Sequence, residues 1–327
     1  MILKIMMNKL FPKLIKIISS DFYRFCSIIQ ISYTVMNLDR FKDIEKIVVH
    51  RGSAHRDDLI AVSLILGSIP GSCMIVERRD STDEDLNDPK VLVVDQGRKH
   101  QPELNNFDHH HFPLDQEPVC SITLILQALE CYEAAQMIWQ WLKPSEIQDV
   151  KGPNLLAKEL EIPGGGEVLM AINQSPVEGY ILNQFSKLTT IQPGESLFEL
   201  LEEMGISLLS GLKKILDRLE DLKVNAKAYE VAGKKVIDNS YIDKDNHPGR
   251  AMNLYRKHFH PDAQVSISSD KRGDGISMTR TNDDGVIDFQ KIKDAPGVRF
   301  VHASGFMASL DQGVDPIPLI EKSIIKD

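Results

Sequence analysis

Three short stretches, "HRGSAHRDD" (50–58), "VVDQG" (93–97) and "FDHHH" (107–111), gather imidazoles and carboxylates. Each sits where a presumed strand ends. Such groups without thiolates suit Mn²⁺, Mg²⁺, Fe²⁺ or Zn²⁺ rather than soft metals. Two ions held side by side need an anionic bridge, which a carboxylate supplies. The pair can then clamp a phosphate while water loses a proton near neutral pH. A single His-Asp pair is commonly a surface or capping feature, and a triple histidine is commonly a loop accident. Three segments of matching type behind strand-like runs are not accounted for in that way, and the chemistry they point to is metal-assisted hydrolysis of a phosphate ester or anhydride.

The elements that must position these groups are legible around them. "IEKIVVH" (44–50) is a β-branched run, followed by "DDLIAVSLILGSIP", whose apolar body bounded by Gly67 and Pro70 predicts a buried helix. "SCMIVERR" and "VLVVDQG" predict further strands. Strands apolar on both faces and alternating with helices imply a parallel sheet covered on two sides. In such a sheet the carboxyl ends of the strands open on one crevice, where the three segments should meet. Downstream, residues 119–142 read as one helix stopped at Pro144, with Trp139 and Trp141 in packing roles. A second helix surrounds "VLMAINQ". The "PGGG" before it (163–166) lacks the Lys and Ser/Thr of a phosphate loop and reads as a turn. Glu195 to about Lys227 reads as a helical connector including "SLLSGLKKILDRLEDLKVNAKAY". Strands and short helices then return: "KKVID", "PGRAMNLYRKHF", "AQVSISS", "GISMTRT", "VRFVHASGF" and "IPLIEKSI".

Composition sets limits on function. With 327 residues, 42% hydrophobic and 26% charged, the chain has room for two globular domains. No apolar run approaches the ~18 residues of a membrane span. A net charge of −9 argues against coating duplex DNA by bulk electrostatics, so nucleic-acid contact must be local. Cys26, Cys73, Cys120 and Cys131 show neither zinc-ribbon nor disulfide-framework spacing, which fits a reducing compartment. The first 36 residues are basic and acid-poor. They fit an upstream start with a native chain beginning at Met36, or a targeting peptide; cytoplasmic location is expected in the first case and mitochondrial in the second.

The order HxGxxHxDD, VVDxG, DHH resembles the DHH phosphoesterase superfamily. The later "FVHASGF" (300–306) resembles the melanocyte-proliferating-gene family within it, and the likeness extends from about residue 46 to 310. The resemblance implies an α/β fold in two domains: an N-terminal parallel-sheet domain holding two divalent ions, and a smaller C-terminal α/β domain that binds a phosphorylated substrate. Carried over by position, it makes His50, His55 and Asp57 metal ligands and Asp95 the bridge between ions. His109 becomes a ligand of the second ion, Asp108 its neighbour and orienting group, and His110 a donor to the phosphate; His111 receives no role. The fourth-motif aspartate of the superfamily corresponds to Asn173 in "AINQ", an amide that is a weaker ligand. In the second domain, "SDKRGDGISMTRTNDD" offers Arg272 and Arg280 to a phosphate. "HASGF" offers His302 and the backbone around Ser304 and Gly305.

The expected organisation is an extension (1–40), a metal-binding catalytic domain (41–190), a helical connector (191–230) and a substrate-binding domain (231–327). The expected activity is hydrolysis of phosphodiester bonds dependent on two divalent ions, Mn²⁺ or alternatively Mg²⁺, by an exonuclease acting on single-stranded RNA or short oligonucleotides. A pyrophosphatase or polyphosphatase is the alternative within the class. A non-hydrolytic protein binding metal and nucleotide, motivated by Asn173, is the alternative outside it. No membrane partner is expected, and a homo-oligomer is compatible with the sequence.

Overall fold

The computed structural model describes residues 36–173, 175–242, 249–281 and 285–325, apart from the side chains of residues 170–173. The basic N-terminal segment (1–35) and the Asn173 side chain lie outside the described residues. The chain divides into two compact units, Met1–Lys213 and Lys214–Asp327. Both are α/β, and each is built on its own six-stranded sheet.

The first unit contains β1 (Lys46–Val49), β2 (Ile75–Arg78), β3 (Val91–Val94), β4 (His100–Gln101), β5 (Asn106–Phe107) and β6 (Thr190–Ile191), in the order β4-β5-β3-β1-β2-β6. The central strands β5, β3, β1 and β2 run parallel, and β4 and β6 close the edges antiparallel. From β1 the chain moves to β2 on one side, then returns to β3 and β5 on the other. The order therefore reverses between β1 and β3, and there the carboxyl ends of the strands open a crevice. Val91 to Val94 are all buried, as two-sided cover demands.

Helix α1 (Arg56–Ser68) links β1 to β2 and is buried along nearly its whole length. It meets a much longer helix at glycine: a Cβ on Gly67 would stand 2.2 Å from the Gly205 carbonyl carbon, and one on Gly205 would stand 1.8 Å from the Ser63 oxygen. Helix α2 (Asp83–Asn87) precedes β3.

The single helix expected over 119–142 is not formed. The segment is divided into α3 (Ser121–Ala128) and α4 (Tyr132–Ile138), and α5 (Leu142–Lys151) follows. The break falls where Glu130 adopts a left-handed φ of 57° and the Cys131 amide bonds back to the Leu126 carbonyl at 2.9 Å. Pro144 does not stop a helix; it sits in the first turn of α5, where backbone N–H groups have no intrahelical acceptor to lose. Trp139 and Trp141 stack with centroids 5.2 Å apart, as packing residues do.

Helices α6 (Pro153–Glu159), α7 (Gly165–Asn173) and α8 (Pro176–Lys187) complete the helical part, and "PGGG" is a turn with Gly164 and Gly165 at positive φ. The expected connector is α9 (Ser196–Asn225), which contains the division point at Lys213. It ends earlier than its charge pattern suggests, because residues from Lys227 onward pair as a strand.

The second unit orders its strands β11-β12-β10-β9-β8-β7, with β7 (Lys227–Val231), β8 (Lys234–Asp238), β9 (Val265–Ser269), β10 (Gly275–Arg280), β11 (Val298–Val301) and β12 (Met307–Asp311). Only the β8–β9 pair is parallel. One sheet face supplies Ile267, Met278 and Leu310 to a core closed by Phe289, Ile292 and Ile320, the last from α11 (Ile317–Ser323). Helix α10 (Arg250–Phe259) joins β8 to β9. Among the described residues no helix is long and apolar enough to cross a membrane.

Candidate metal centre

The strand ends deliver the site. His50 follows β1, Asp95 follows β3 and Asp108 follows β5, so the crevice at the strand-order reversal receives all three motifs. The first turn of α1 enters from above: His55 is its N-cap, and the His55 amide donates to Asp58 Oδ1 at 2.9 Å. Acidic residues at a helix N-terminus are favoured by the helix dipole, which helps Asp57 and Asp58 to be buried there. Asp95 has φ 57°, a left-handed conformation that aspartate tolerates better than most side chains.

Three groups of ligand atoms result, each with its atoms within 4.8 Å of one another: His50, His55 and Asp95; His55, Asp57 and Asp149; and Asp95, Asp108, His109 and His110. Asp95 is common to the first and third, the position of a bridging carboxylate. His109 Nε2 lies 3.0 Å from Asp95 Oδ1, 3.3 Å from Asp149 Oδ2 and 4.0 Å from Asp57 Oδ2. His50 Nε2 lies 3.5 Å from Asp95 Oδ2. The His50 ring sets its Nδ1 2.8 Å from the Arg51 carbonyl, which orients Nε2 toward the carboxylates.

The electrostatics call for cations. Burial, reinforced by the neighbouring Asp95, Asp149 and Asp58, pushes the Asp57 carboxyl well above the usual carboxylate range. Burial also raises Asp149, against the pull of His109. The bond to Asp58 holds the His50 imidazolium up to about 9, against the burial that lowers it. Among the described residues, no group donates a well-formed hydrogen bond to either buried oxygen of Asp57. Orphaned carboxylate oxygens among crowded acids fit divalent ions bound by oxygen and nitrogen. The nearby Cys120 thiol is fully buried and its pKa is raised by that burial, so it offers no thiolate.

Asp108 and His110 form a linked pair. Burial raises the Asp108 carboxyl, but bonds from the His110 ring at 2.7 Å, the His110 amide at 3.0 Å and the Arg98 amide at 2.5 Å outweigh it and hold the group at about 2. The same Asp108 bond raises the His110 pKa, and the His110 side chain is 53% exposed. The bond to Asp108 thus favours the charged form of His110, whose ring faces solvent. His111 belongs to none of the ligand groups.

Sequence reasoning missed four residues here. Asp149 brings a fourth carboxylate from α5, and it escaped because Pro144 was read as a helix stop. Ser121 donates to Asp95 Oδ1 at 2.9 Å. Asp58 lies 3.0 Å from His50 Nε2. Arg78, buried at the end of β2, donates to the carbonyls of His50 (2.9 Å), Gly52 (3.1 Å) and Phe185 (2.9 Å) and lies over the Phe185 ring. It fastens the first-motif loop to α8. An arginine at a strand end carries no signal that distinguishes it from a surface cation.

In the second unit, Arg272 and Arg280 line a cavity of about 590 Å³ together with Arg256, Arg299 and Phe300. Its floor is the sheet face opposite the core, where register aligns Ser268, Ser277 and Ser309 in one row and Ser266, Thr279 and Met307 in the next. His302, Ser304 and Gly305 do not line it. They close the β11–β12 turn, with His302 Nδ1 2.9 Å from Ser304 Oγ and the Gly305 amide on the His302 carbonyl at 2.8 Å. Gly305 has φ 68°, and a Cβ there would stand 2.0 Å from Asp288 Oδ1.

The parallel sheet and the imidazole–carboxylate centre at its switch point have the arrangement that the resemblance to DHH phosphoesterases implies. Residues 46–119, from β1 to just before α3, match the family model MYG1_exonuc, described as an uncharacterised protein family (UPF0160). No curated protein matches the chain. A solved structure described as the DHH domain of a member of the s1p family of ribosomal proteins aligns at 14% identity over 87% of this chain and 86% of that one, with a TM-score of 0.26, a likeness too distant to carry weight.

Proposed function

We propose that the protein is a divalent-metal-dependent phosphoesterase that hydrolyses phosphodiester bonds, acting as an exonuclease on single-stranded RNA or short oligonucleotides. The observation that carries the reading is Asp95, at the carboxyl end of β3, shared between two groups of metal-ligating atoms. His50, His55, Asp57, Asp95, His109 and Asp149 would hold the ions. Bound divalent ions supply Lewis-acid charge to the phosphate and acidify water.

The chain's own groups do the rest. Asp108 engages His110 Nδ1 and favours the charged form of the ring, so that His110 would donate to a phosphate oxygen as its charge grows. Ser121 and Arg78 keep Asp95 and the His50 loop in register. A phosphodiester with nucleosides attached is supported by the second unit's cavity. It combines Arg256, Arg272, Arg280 and Arg299 with hydroxyls and the half-exposed Phe300 ring, the chemistry that grips phosphates and stacks bases. Asp149, within ligand reach of His55 and Asp57, supports the hydrolase reading by supplying a further carboxylate beside the centre.

The deciding experiment incubates the full chain with end-labelled single-stranded RNA, single-stranded DNA and pyrophosphate, each with Mn²⁺, with Mg²⁺ and with chelator. Stepwise, metal-dependent shortening of RNA is expected. Phosphate release from pyrophosphate alone would move the function to small anhydrides, and silence on all three substrates by protein that binds Mn²⁺ would overturn the hydrolase reading.

A further inference from the structure

The first unit holds a cavity of about 900 Å³ that includes His55, Asp57 and Asp149 at its edge, so it opens onto the metal centre. Its other walls have a different chemistry. Gln148 near the end of α5 and Asn154 in the first turn of α6 bring amides, and Leu182 of α8 is apolar. The arginine of the lining, Arg56, is engaged by Glu178 through both its Nε and its Nη2, the latter at 2.8 Å. With Arg56 so paired and Glu167 adding negative charge, these walls disfavour a second phosphate. They suit an uncharged group that is flat on its faces and carries donors and acceptors on its edge.

An independent observation comes from Gly179, the fourth residue of α8 and part of the same wall. Glycine inside a helix costs about 0.5–1 kcal/mol relative to alanine. Here nothing within the described chain asks for it: Gly179 has no positive φ, and a Cβ would meet no atom within 4 Å. Gly179 is exposed and belongs to the cavity lining, so the glycine keeps this part of the wall free of a side chain, as a wall does when a ligand lies close against it.

We infer that this cavity receives the nucleoside joined to the scissile phosphate, with its base edge read by Gln148 and Asn154 and its face passing over Gly179 and Leu182. The inference rests on the phosphoesterase reading and adds to it a base pocket distinct from the cationic cavity of the second unit.

Two variants test it in the full chain. Asn154→Ala removes an exposed amide, and Gly179→Phe adds a bulky ring to the lining at a position where a Cβ meets no atom within 4 Å. For each, kcat/KM is measured on a 5′-phosphorylated dinucleotide and on bis(p-nitrophenyl) phosphate, a diester without a nucleoside. The ratio of the two is expected to fall by about tenfold or more in Gly179→Phe, and by a smaller factor in Asn154→Ala. Binding of adenosine, guanosine, cytidine and uridine to the metal-free protein, followed by saturation-transfer NMR, should be weakened by Gly179→Phe. An unchanged ratio in both variants overturns the inference while leaving the phosphoesterase reading intact. If neither diester is hydrolysed, that reading fails and nucleoside binding decides: signals absent from the wild type, or undiminished by Gly179→Phe, overturn the pocket as well.

Discussion

Asp149 Oδ2 stands 3.3 Å from His109 Nε2, so a carboxylate from a helix reaches the imidazole of the third motif. Asp149→Asn should therefore weaken Mn²⁺ binding and lower kcat/KM by about 100-fold or more, since a ligand should weigh at least as much as the supporting groups that cost 10- to 100-fold. Asn173→Ala should stay within a few-fold of wild type. Calorimetric Mn²⁺ titration and RNA hydrolysis measure both; the reverse ranking would return the fourth ligand to Asn173.

Arg78 offers a test of how the first-motif loop is held. Arg78→Met leaves the carbonyls of His50, Gly52 and Phe185 without their donor, at about 1–3 kcal/mol for each group left buried and unsatisfied. We expect a loss of about 3 kcal/mol in urea unfolding and about a tenfold loss in Mn²⁺ affinity. Arg78→Lys should recover part of both. A variant with full stability and reduced affinity would show that the residue acts on the metal loop alone.

The Gly67–Gly205 crossing reverses an ordinary rule. Alanine in place of a mid-helix glycine normally stabilises by about 1 kcal/mol. Here the added Cβ of Gly205→Ala would fall 1.8 Å from the Ser63 carbonyl oxygen. The helices must separate, at a cost of about 1–3 kcal/mol. Thermal unfolding of Gly205→Ala should show a lower Tm, and a rise would mean that the crossing is looser than described.

A pH dependence follows from Asp85, whose carboxyl is held well below the usual range by hydrogen bonds from Arg79, with burial opposing. A depressed folded pKa stabilises the protein above the unfolded value of about 3.9, and the contribution fades as pH falls through the folded value. The stability gap between wild type and Arg79→Met should be greatest near neutrality and shrink below about pH 4. The effect should be modest, because the Arg79 side chain is 36% exposed and screened. A gap that stays constant from pH 7 to 3 would remove the ion pair as its source.

The crevice and most of the imidazoles and carboxylates gathered there were legible because their signals are local. Val91–Val94 is a continuous apolar run, and the residue after it must lie at a strand's carboxyl end whatever the rest of the chain does. β5 was not legible: Asn106 and Phe107 form a two-residue strand fixed by pairing with β3. Lys227–Val231 follows a charged helix without punctuation and becomes a strand only because β8 is there to pair with it. Pro144 misled because proline is compatible with a first helical turn as well as with an end, and that ambiguity concealed Asp149. His302, Ser304 and Gly305 read as phosphate contacts, but the turn they form already uses their polar groups on one another.

The left-handed backbone at Asp95 bears on how a stalled complex with substrate could be prepared. Alanine at that position would remove the carboxylate and also disfavour the φ of 57°, so a silent protein would confound lost chemistry with a reshaped loop. Asparagine tolerates the same backbone and nearly the same volume while giving up the charge. Asp95→Asn is therefore the natural reagent for capturing an intact oligonucleotide on the protein, because its backbone should stay in register with the active chain.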